Sequence, residues 1–333
     1  MTLHTHQHGS KDHDHTHGVA DPILLTTQRG IWAIKWSCWG LLATALIQGW
    51  IVYLSGSVAL LADTLHNVGD AMTAFPLWVA FLLARWKPTN RFTYGYGRVE
   101  DLAGIIIVLT ILSSALVVGY ESIDRFFHPR PVEYLGAVVV AAIVGFLGNE
   151  AVARLRLKVG KEIGSAALIA DGYHARADGL TSLAVLFSAL GIWLNFPLAD
   201  PLIGLLITLV ILKIAWGSCK TVFLRLLDAV DPDVVVEIKE VACQTKEVVE
   251  ITETRVRWLG HRLHAELNLA VSSNLTIEQG HDIAMEVRHN LLHHLQFLSN
   301  CTIHIDPATA SGKLITALPT ISTIVCLHIP IKG

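Results

Sequence analysis

The chain has 333 residues, of which 52% are hydrophobic and 16% are charged, and its formal net charge at pH 7 is −3. Soluble globular domains carry about 25% charged residues, so this composition argues against a soluble protein and indicates a membrane protein. The nearly balanced charge gives no indication of a nucleic-acid partner.

The N-terminal segment, residues 1–28, is predicted to be a disordered tail rich in histidine. Its histidines are His4, His6, His8, His13, His15 and His17. The tail has too few apolar side chains to bury a core, and it lacks the apolar stretch of a signal peptide. We expect its imidazoles to bind metal ions weakly. An expression tag is the alternative, although such tags are usually contiguous runs of histidine.

Six apolar segments follow, each long enough to cross a bilayer, which takes about 20 residues. Their approximate limits are 31–54, 58–85, 101–121, 134–154, 164–193 and 201–223. Basic residues are concentrated after the second segment (Arg85, Lys87, Arg91, Arg98) and after the fourth (Arg154, Arg156, Lys158, Lys161). Cytoplasmic loops carry an excess of Lys and Arg. Residues 29–228 are therefore predicted to form an all-α, six-helix transmembrane bundle in the cell (inner) membrane, with both termini in the cytoplasm.

The composition changes after Asp228, where residues 229–308 are predicted to fold as a small α+β domain. The spacing of its apolar residues predicts a helix, two strands with alternating apolar and polar residues, an amphipathic helix and a final strand, in this order. Residues 309–333 fit neither part and are treated as a tail of unknown role. The five cysteines contain no CxxC pair, which predicts a reduced chain without disulfides.

The second and fifth segments share a polar motif, DxxHxxxD, inside apolar sequence. It occurs in "ALLADTLHNVGDAMT" (59–73) and again in "ALIADGYHARADGLT" (167–181). An aspartate at the centre of a membrane helix costs roughly 2.5–3.5 kcal/mol. These groups must therefore be paired, hydrated or bound to an ion.

The spacing within the motif predicts a metal site between two helices. In each copy the histidine and the second aspartate are four residues apart and share one helix face. The predicted ligands are His66, Asp70, His174 and Asp178. Zinc binds nitrogen and oxygen ligands tetrahedrally, whereas an all-oxygen shell would suit Mg²⁺ or Mn²⁺. The first aspartates of the two copies, Asp63 and Asp171, are placed to orient the histidine rings from a second layer.

In these motifs the chain resembles the cation diffusion facilitator family of divalent-metal/proton exchangers. The resemblance rests on the HxxxD pairs in the second and fifth of six spans, on "TYGYGRVEDLAG" after the second span, and on the compact α+β part. It covers roughly residues 28–308. It implies a homodimer, a ferredoxin-like cytoplasmic domain that mediates dimerisation, and zinc as the ion associated with a site of two histidines and two aspartates. Cd²⁺ and Co²⁺ are further candidates for the transported ion.

The resemblance also implies a metal site in the cytoplasmic domain, although two family positions fall on Thr252 and Asn268 here. The candidate ligands at matching positions are His281, His304 and Asp306, and the nearby His261 and His264 are candidates to substitute for the two missing ligands. The alternative is that the histidines around His281 are simply the polar side of a surface helix. The resemblance further implies an interlocking ion pair between Arg98 and Asp228, with two independently solvated charges as the alternative.

These features predict a transporter rather than an enzyme: proton-coupled efflux of zinc from the cytoplasm through a tetrahedral site between spans two and five. Metal ligands must be deprotonated, so metal binding and proton binding compete. A membrane-embedded zinc-dependent hydrolase and a membrane metal sensor are the alternatives. Catalytic zinc usually has three protein ligands and an open position, whereas four ligands converge here, and the chain contains no HExxH motif.

Overall fold

A computed structural model describes residues 22–55, 74–128, 134–194, 196, 198–308 and 324–326. Five helices in these ranges are long and apolar enough to cross a membrane. They are α1 (Pro22–Ser55), α3 (Arg98–Phe127), α4 (Leu135–Ile163), α5 (Ala166–Trp193) and α6 (Ala199–Leu226). A shorter apolar helix, α2, covers Ala74–Leu83 within the predicted second span. The predicted six-helix membrane bundle is confirmed, with five long apolar helices and a short sixth among the described residues.

The limits of two helices differ from the prediction. α1 begins at Pro22, so residues 22–28, predicted as part of the N-terminal tail, are helical. α4 continues to Ile163, well past the predicted end of the fourth span at residue 154. The basic residues after position 154 therefore belong to a helix and not to a loop. The remainder of the tail, residues 1–21, lies outside the described residues.

Small residues allow α4 and α5 to approach closely. A methyl group added at Gly160 would lie 3.0 Å from the backbone nitrogen of Ile169, and one added at Gly172 would lie 3.0 Å from that of Leu157. The backbones of the two helices are therefore in direct contact. The turn between them ends at Ser165, whose hydroxyl accepts a hydrogen bond from Leu168 N at 3.0 Å and caps α5.

The bundle has a buried apolar centre and an apolar outer surface. Ile107, Ile111 and Leu168 belong to the buried cluster, while Leu116 and Trp216 are among many large apolar side chains exposed on the outside. In water such an outer surface would be unfavourable, but in a bilayer it meets hydrocarbon. This distribution agrees with a membrane-embedded protein.

The C-terminal part has the predicted α-β-β-α-β order, and its α+β class is confirmed. The elements are α7 (Pro232–Cys243), β1 (Val248–Leu259), β2 (Arg262–Val271), α8 (Ile277–His294) and β3 (Leu298–Pro307). β1 and β2 form an antiparallel hairpin, and β3 pairs in parallel with β2. Helices α7 and α8 contribute Ile238, Val287 and Leu291 to a core shared with the sheet.

The predicted absence of disulfides is wrong. Cys326 forms a disulfide with Cys243 at the end of α7. The preceding residues form a short strand, β4 (Ile324–Val325), which pairs with the outer edge of β1 and gives the sheet order β3-β2-β1-β4. The two cysteines are 83 residues apart, so no local spacing could have indicated the bond. The C-terminal tail thus supplies part of the sheet.

Candidate metal site

Helix α5 carries both ligands that the sequence predicts for the fifth span. His174 and Asp178 are buried, at 1% and 5% exposure, and His174 Nδ1 lies 3.7 Å from Asp178 Oδ2. Both groups therefore lie on one helix face inside a membrane-spanning helix, where ionisable side chains are costly and usually functional.

The other half of the predicted site lies outside the described residues. His66, Asp70 and the neighbouring Asp63 precede the first described residue of α2, Ala74. Within the ranges that the structure describes, no three His, Cys, Asp or Glu residues gather in one place. The four-ligand site therefore stays a prediction.

Further buried polar side chains lie beside Asp178 and beyond it toward the C-terminal end of α5. Ser182 Oγ donates to Asp178 O at 3.3 Å, and Asn149 on α4 lies against Gly179. Gln48 on α1 donates from Nε2 to Ala141 O at 3.3 Å. Neither Asn149 nor Gln48 is among the residues predicted from the sequence. Gln48 is a single amide side chain within an apolar stretch, and Asn149 with its neighbour Glu150 interrupts another, so the sequence does mark both positions.

Asp171, predicted to orient the ring of His174, forms an ion pair with Arg156 on α4. Arg156 Nη1 lies 3.1 Å from Asp171 Oδ1, and the side chains are 1% and 0% exposed. From the sequence, Arg156 is predicted to lie in the cytoplasmic loop after the fourth segment. An orienting role of Asp171 toward His174 stays a prediction.

The tip of the β1–β2 hairpin inserts against the membrane helices through His261. Its ring Nδ1 lies 2.6 Å from Glu100 Oε2 of α3, and its backbone nitrogen donates to the same oxygen at 3.2 Å. Its Nε2 lies 3.2 Å from Thr27 Oγ1 of α1. His261 and Glu100 are both buried. This candidate metal ligand therefore connects the α+β domain to α1 and α3.

Two arginines complete the junction between the two parts. Arg98 at the start of α3 forms an ion pair with Asp228, which follows α6, and its Nη1 donates to Arg225 O at 3.3 Å. Arg225 Nη1 donates to Gly164 O at 2.5 Å, and its guanidinium stacks 4.0 Å above the Trp258 ring of β1. The predicted partners are thus in contact, while their role as an interlock stays a prediction.

Two family models match the sequence, one after the other. The cation efflux transmembrane domain matches residues 34–227, and the cytoplasmic domain of cation efflux proteins matches residues 230–308. The chain belongs to the cation diffusion facilitator family. This family comprises cation efflux transporters, so the prediction that the chain is not an enzyme is confirmed, and the hydrolase alternative is rejected.

Relatives agree with this membership of the cation diffusion facilitator family. A probable cation efflux system protein of Mycobacterium tuberculosis is 51% identical over 303 residues, covering 90% of this chain and 91% of its own length. Zinc transporter ZitB of Escherichia coli is 29% identical, covering 78% of this chain and 82% of its own. Manganese efflux system protein MneP of Bacillus subtilis is 27% identical, covering 75% of this chain and 87% of its own length.

The remaining cytoplasmic candidates of this cation diffusion facilitator are spread over the sheet and α8. His304 Nε2 lies 3.1 Å from Asp306 Oδ1 on β3, and His281 is exposed on α8. In the β2–β3 register His264 pairs with Asn300, and Asn268 pairs with His304. Measured along the strands, His264 and His304 are therefore four residue positions apart, which is roughly 13 Å. A cytoplasmic metal site at these residues stays a prediction.

The environment of His264 favours its neutral form. Burial lowers the pKa of its ring below the usual value, and the positive charges of Arg257 and Arg262 lower it further, against an opposite effect of Glu266. The ring also lies edge-on to Tyr94, with 6.4 Å between centroids. A neutral imidazole is the form that binds metals, and it is also the form that a packed ring adopts.

Proposed function

We propose that the chain exports divalent metal ions, principally zinc, from the cytoplasm in exchange for protons. The proposed ligands are His66, Asp70, His174 and Asp178, in a tetrahedral site between the second and fifth spans. The observation that carries the proposal is the burial of His174 and Asp178 on one face of α5 in a cation efflux protein. The same HxxxD spacing in the second span supplies a matching pair.

Ligand chemistry supports zinc as the principal substrate. Two imidazoles and two carboxylates suit a borderline ion that accepts tetrahedral coordination. The relative from Escherichia coli is described as a zinc transporter, while the relative from Bacillus subtilis is described as a manganese efflux protein. The imidazole content of this chain's motif favours the first of these substrates, with Cd²⁺ and Co²⁺ as weaker competitors.

Proton coupling follows from the same ligands. A protonated imidazole or carboxylate cannot bind the metal, so protons from the far side promote release. Histidine titrates near neutral pH, which makes His66 and His174 suitable coupling groups. The proposal includes a homodimer in the cell (inner) membrane, assembled through the ferredoxin-like domain, with both termini in the cytoplasm.

Flux in sealed proteoliposomes tests this function. Under an imposed pH gradient, the wild type should carry Zn²⁺, and Asp178→Ala should abolish transport, because it removes one charge and one ligand from a site with no spare. Asp233→Ala, an exposed carboxylate at the start of α7, is the matched control and should transport normally. A membrane metal sensor would bind zinc without flux. Undiminished transport by Asp178→Ala would refute the ligand assignment.

A further inference from the structure

The ion pair between Arg156 and Asp171 lies about one helical turn from His174, one of the proposed metal ligands. Asp171 precedes His174 by three residues, so the two side chains are neighbours on the surface of α5. The pair lies on the side of His174 nearer to the α4–α5 turn, where Gly164 packs against Phe297 of the α+β domain. No ligand or coupling role in the proposed function uses Arg156.

The pair is poorly explained by stability alone. Both side chains are buried, and Arg156 Nε and Nη2 and both Asp171 oxygens make no hydrogen bond within the described part of the chain. Buried ion pairs without such bonds rarely stabilise a fold better than apolar residues of similar size. Among the described residues, the contact is therefore an ion pair between Arg156 Nη1 and Asp171 Oδ1.

We propose that Arg156 is a positioning residue that holds Asp171 out of the metal shell and thereby restricts the transport site to four ligands. The inference rests on the proposed function, because it concerns the same metal site. Without the guanidinium, a free carboxylate would stand three residues from His174. Its addition would make the shell larger and richer in oxygen, which suits Mn²⁺ better than Zn²⁺.

The two members of the pair should then have opposite effects. Loss of Arg156 releases a carboxylate and adds negative charge beside the site, so Mn²⁺ should bind more tightly. Loss of Asp171 leaves an uncompensated cation beside the site, so every divalent ion should bind more weakly. Charges about 8 Å apart at an effective dielectric of about 20 interact strongly enough to change affinity by about tenfold or more. Removal of both charges should cancel both effects.

The test measures Zn²⁺ and Mn²⁺ dissociation constants of the full-length protein by calorimetry, together with competition between the two ions in vesicle flux. Arg156→Met should tighten Mn²⁺ binding by about tenfold or more and Zn²⁺ binding by less, because the larger, oxygen-rich shell suits Mn²⁺ better; the preference for Zn²⁺ over Mn²⁺ should therefore fall. Asp171→Asn should weaken both ions by a similar factor and leave the preference unchanged. The double variant Arg156→Met/Asp171→Asn should return both constants close to those of the wild type.

A second ion pair on the same two helices provides the matched control. Arg176 Nη2 of α5 lies 3.1 Å from Glu150 Oε1 of α4, and both side chains are partly exposed. Glu150→Gln should leave the metal preference unchanged. A change as large as that of Arg156→Met would show that any disturbance between α4 and α5 alters selectivity, and would overturn the inference.

Other outcomes also decide the matter. If both single variants weaken both ions equally, or if the double variant stays weak, the pair is only structural and the inference is wrong. If Arg156→Met does not accumulate, Asp171→Asn still decides, because Zn²⁺ and Mn²⁺ constants unchanged from the wild type in that variant would overturn the inference. If the wild type neither binds nor transports zinc, the proposed function is overturned as well. If the wild type transports zinc and the variants have the same metal affinities as the wild type, only this inference is overturned.

Discussion

The contact between Glu100 and His261 predicts a measurable coupling between the membrane helices and the α+β domain. One carboxylate oxygen, Glu100 Oε2, lies 2.6 Å from the ring Nδ1 and accepts from the backbone nitrogen of His261 at 3.2 Å. Hydrogen bonds to charged groups contribute about 1.5–3 kcal/mol each. Two such bonds give the carboxylate roughly 3–6 kcal/mol of interaction with the hairpin tip.

Substitution of either partner should loosen the hairpin from the bundle. His261→Phe keeps the ring contact with Phe81, whose centroid is 5.6 Å away, but removes the ring hydrogen bonds. Glu100→Gln keeps the size of the side chain and removes its charge. We expect each variant to lose about 1.5–3 kcal/mol of docking stability, and the double variant to lose much less than the sum.

Hydrogen exchange of the β1–β2 hairpin in the full-length protein measures this effect. Amides from Trp258 to Leu263 should exchange at least about tenfold faster in each single variant, which is the factor that 1.4 kcal/mol produces. Glu162→Gln is the control, because its 3.1 Å pair with Arg29 is nearly half exposed and such pairs contribute about 0–1 kcal/mol. Additive losses in the double variant would refute a direct interaction between Glu100 and His261.

Three further predictions concern other parts of the molecule. Cys326→Ser should destabilise the cytoplasmic domain, because the disulfide closes a loop of 83 residues and such a bond stabilises by up to about 4 kcal/mol. Faster hydrogen exchange of the Val249–Ile251 amides would show that β4 has detached from β1. Unchanged exchange of these amides would contradict the prediction. Burial lowers the pKa of His264, so the unfolded state takes up the proton first. The stabilising contribution of neutral His264 should therefore be complete above about pH 6.5 and decrease at lower pH. In thermal unfolding, His264→Asn should reduce the decrease of the melting temperature at low pH, and an unaltered pH profile would contradict the prediction. Gly172→Val should reduce folded protein sharply, because even a Cβ would lie 2.8 Å from Leu157 Cγ and 3.0 Å from its backbone nitrogen; normal yield and melting temperature would show that the helices can separate at little cost.

Hydropathy predicted the number of membrane helices better than their ends. The apolar signal of the fourth span stops at Arg154, yet helical hydrogen bonding continues to Ile163, because arginine and lysine are good helix formers. Arg156 then turns inward toward Asp171, while Arg154 remains exposed. Charge alone does not distinguish a loop residue from one half of a buried ion pair, since the partner lies on another helix.

Periodicity predicted the candidate site only where its residues are close in sequence. His174 and Asp178 share a face because they are four residues apart, which any helix enforces. The partner of His261 lies 161 positions away on α3, and that pairing depends on how the hairpin docks. The Cys243–Cys326 bond likewise depends on β4 reaching the edge of β1. Such contacts require the tertiary fold, which propensity and spacing do not contain.

Direct backbone contact at Gly160 and Gly172 makes α4 and α5 a single mechanical unit. Helices separated by long side chains can slide past one another through rotamer changes, but at these two glycines the backbone of the neighbouring helix lies within contact distance. His174 and Asp178 are therefore carried on a rigid platform, and α4 must accompany any displacement of α5. The other two proposed ligands, His66 and Asp70, are predicted from the sequence to lie on the second span. In the proposed cycle, the ion is then released when the α4–α5 unit and the second span move relative to each other. The distance between His174 and Asp178 is preserved during this movement.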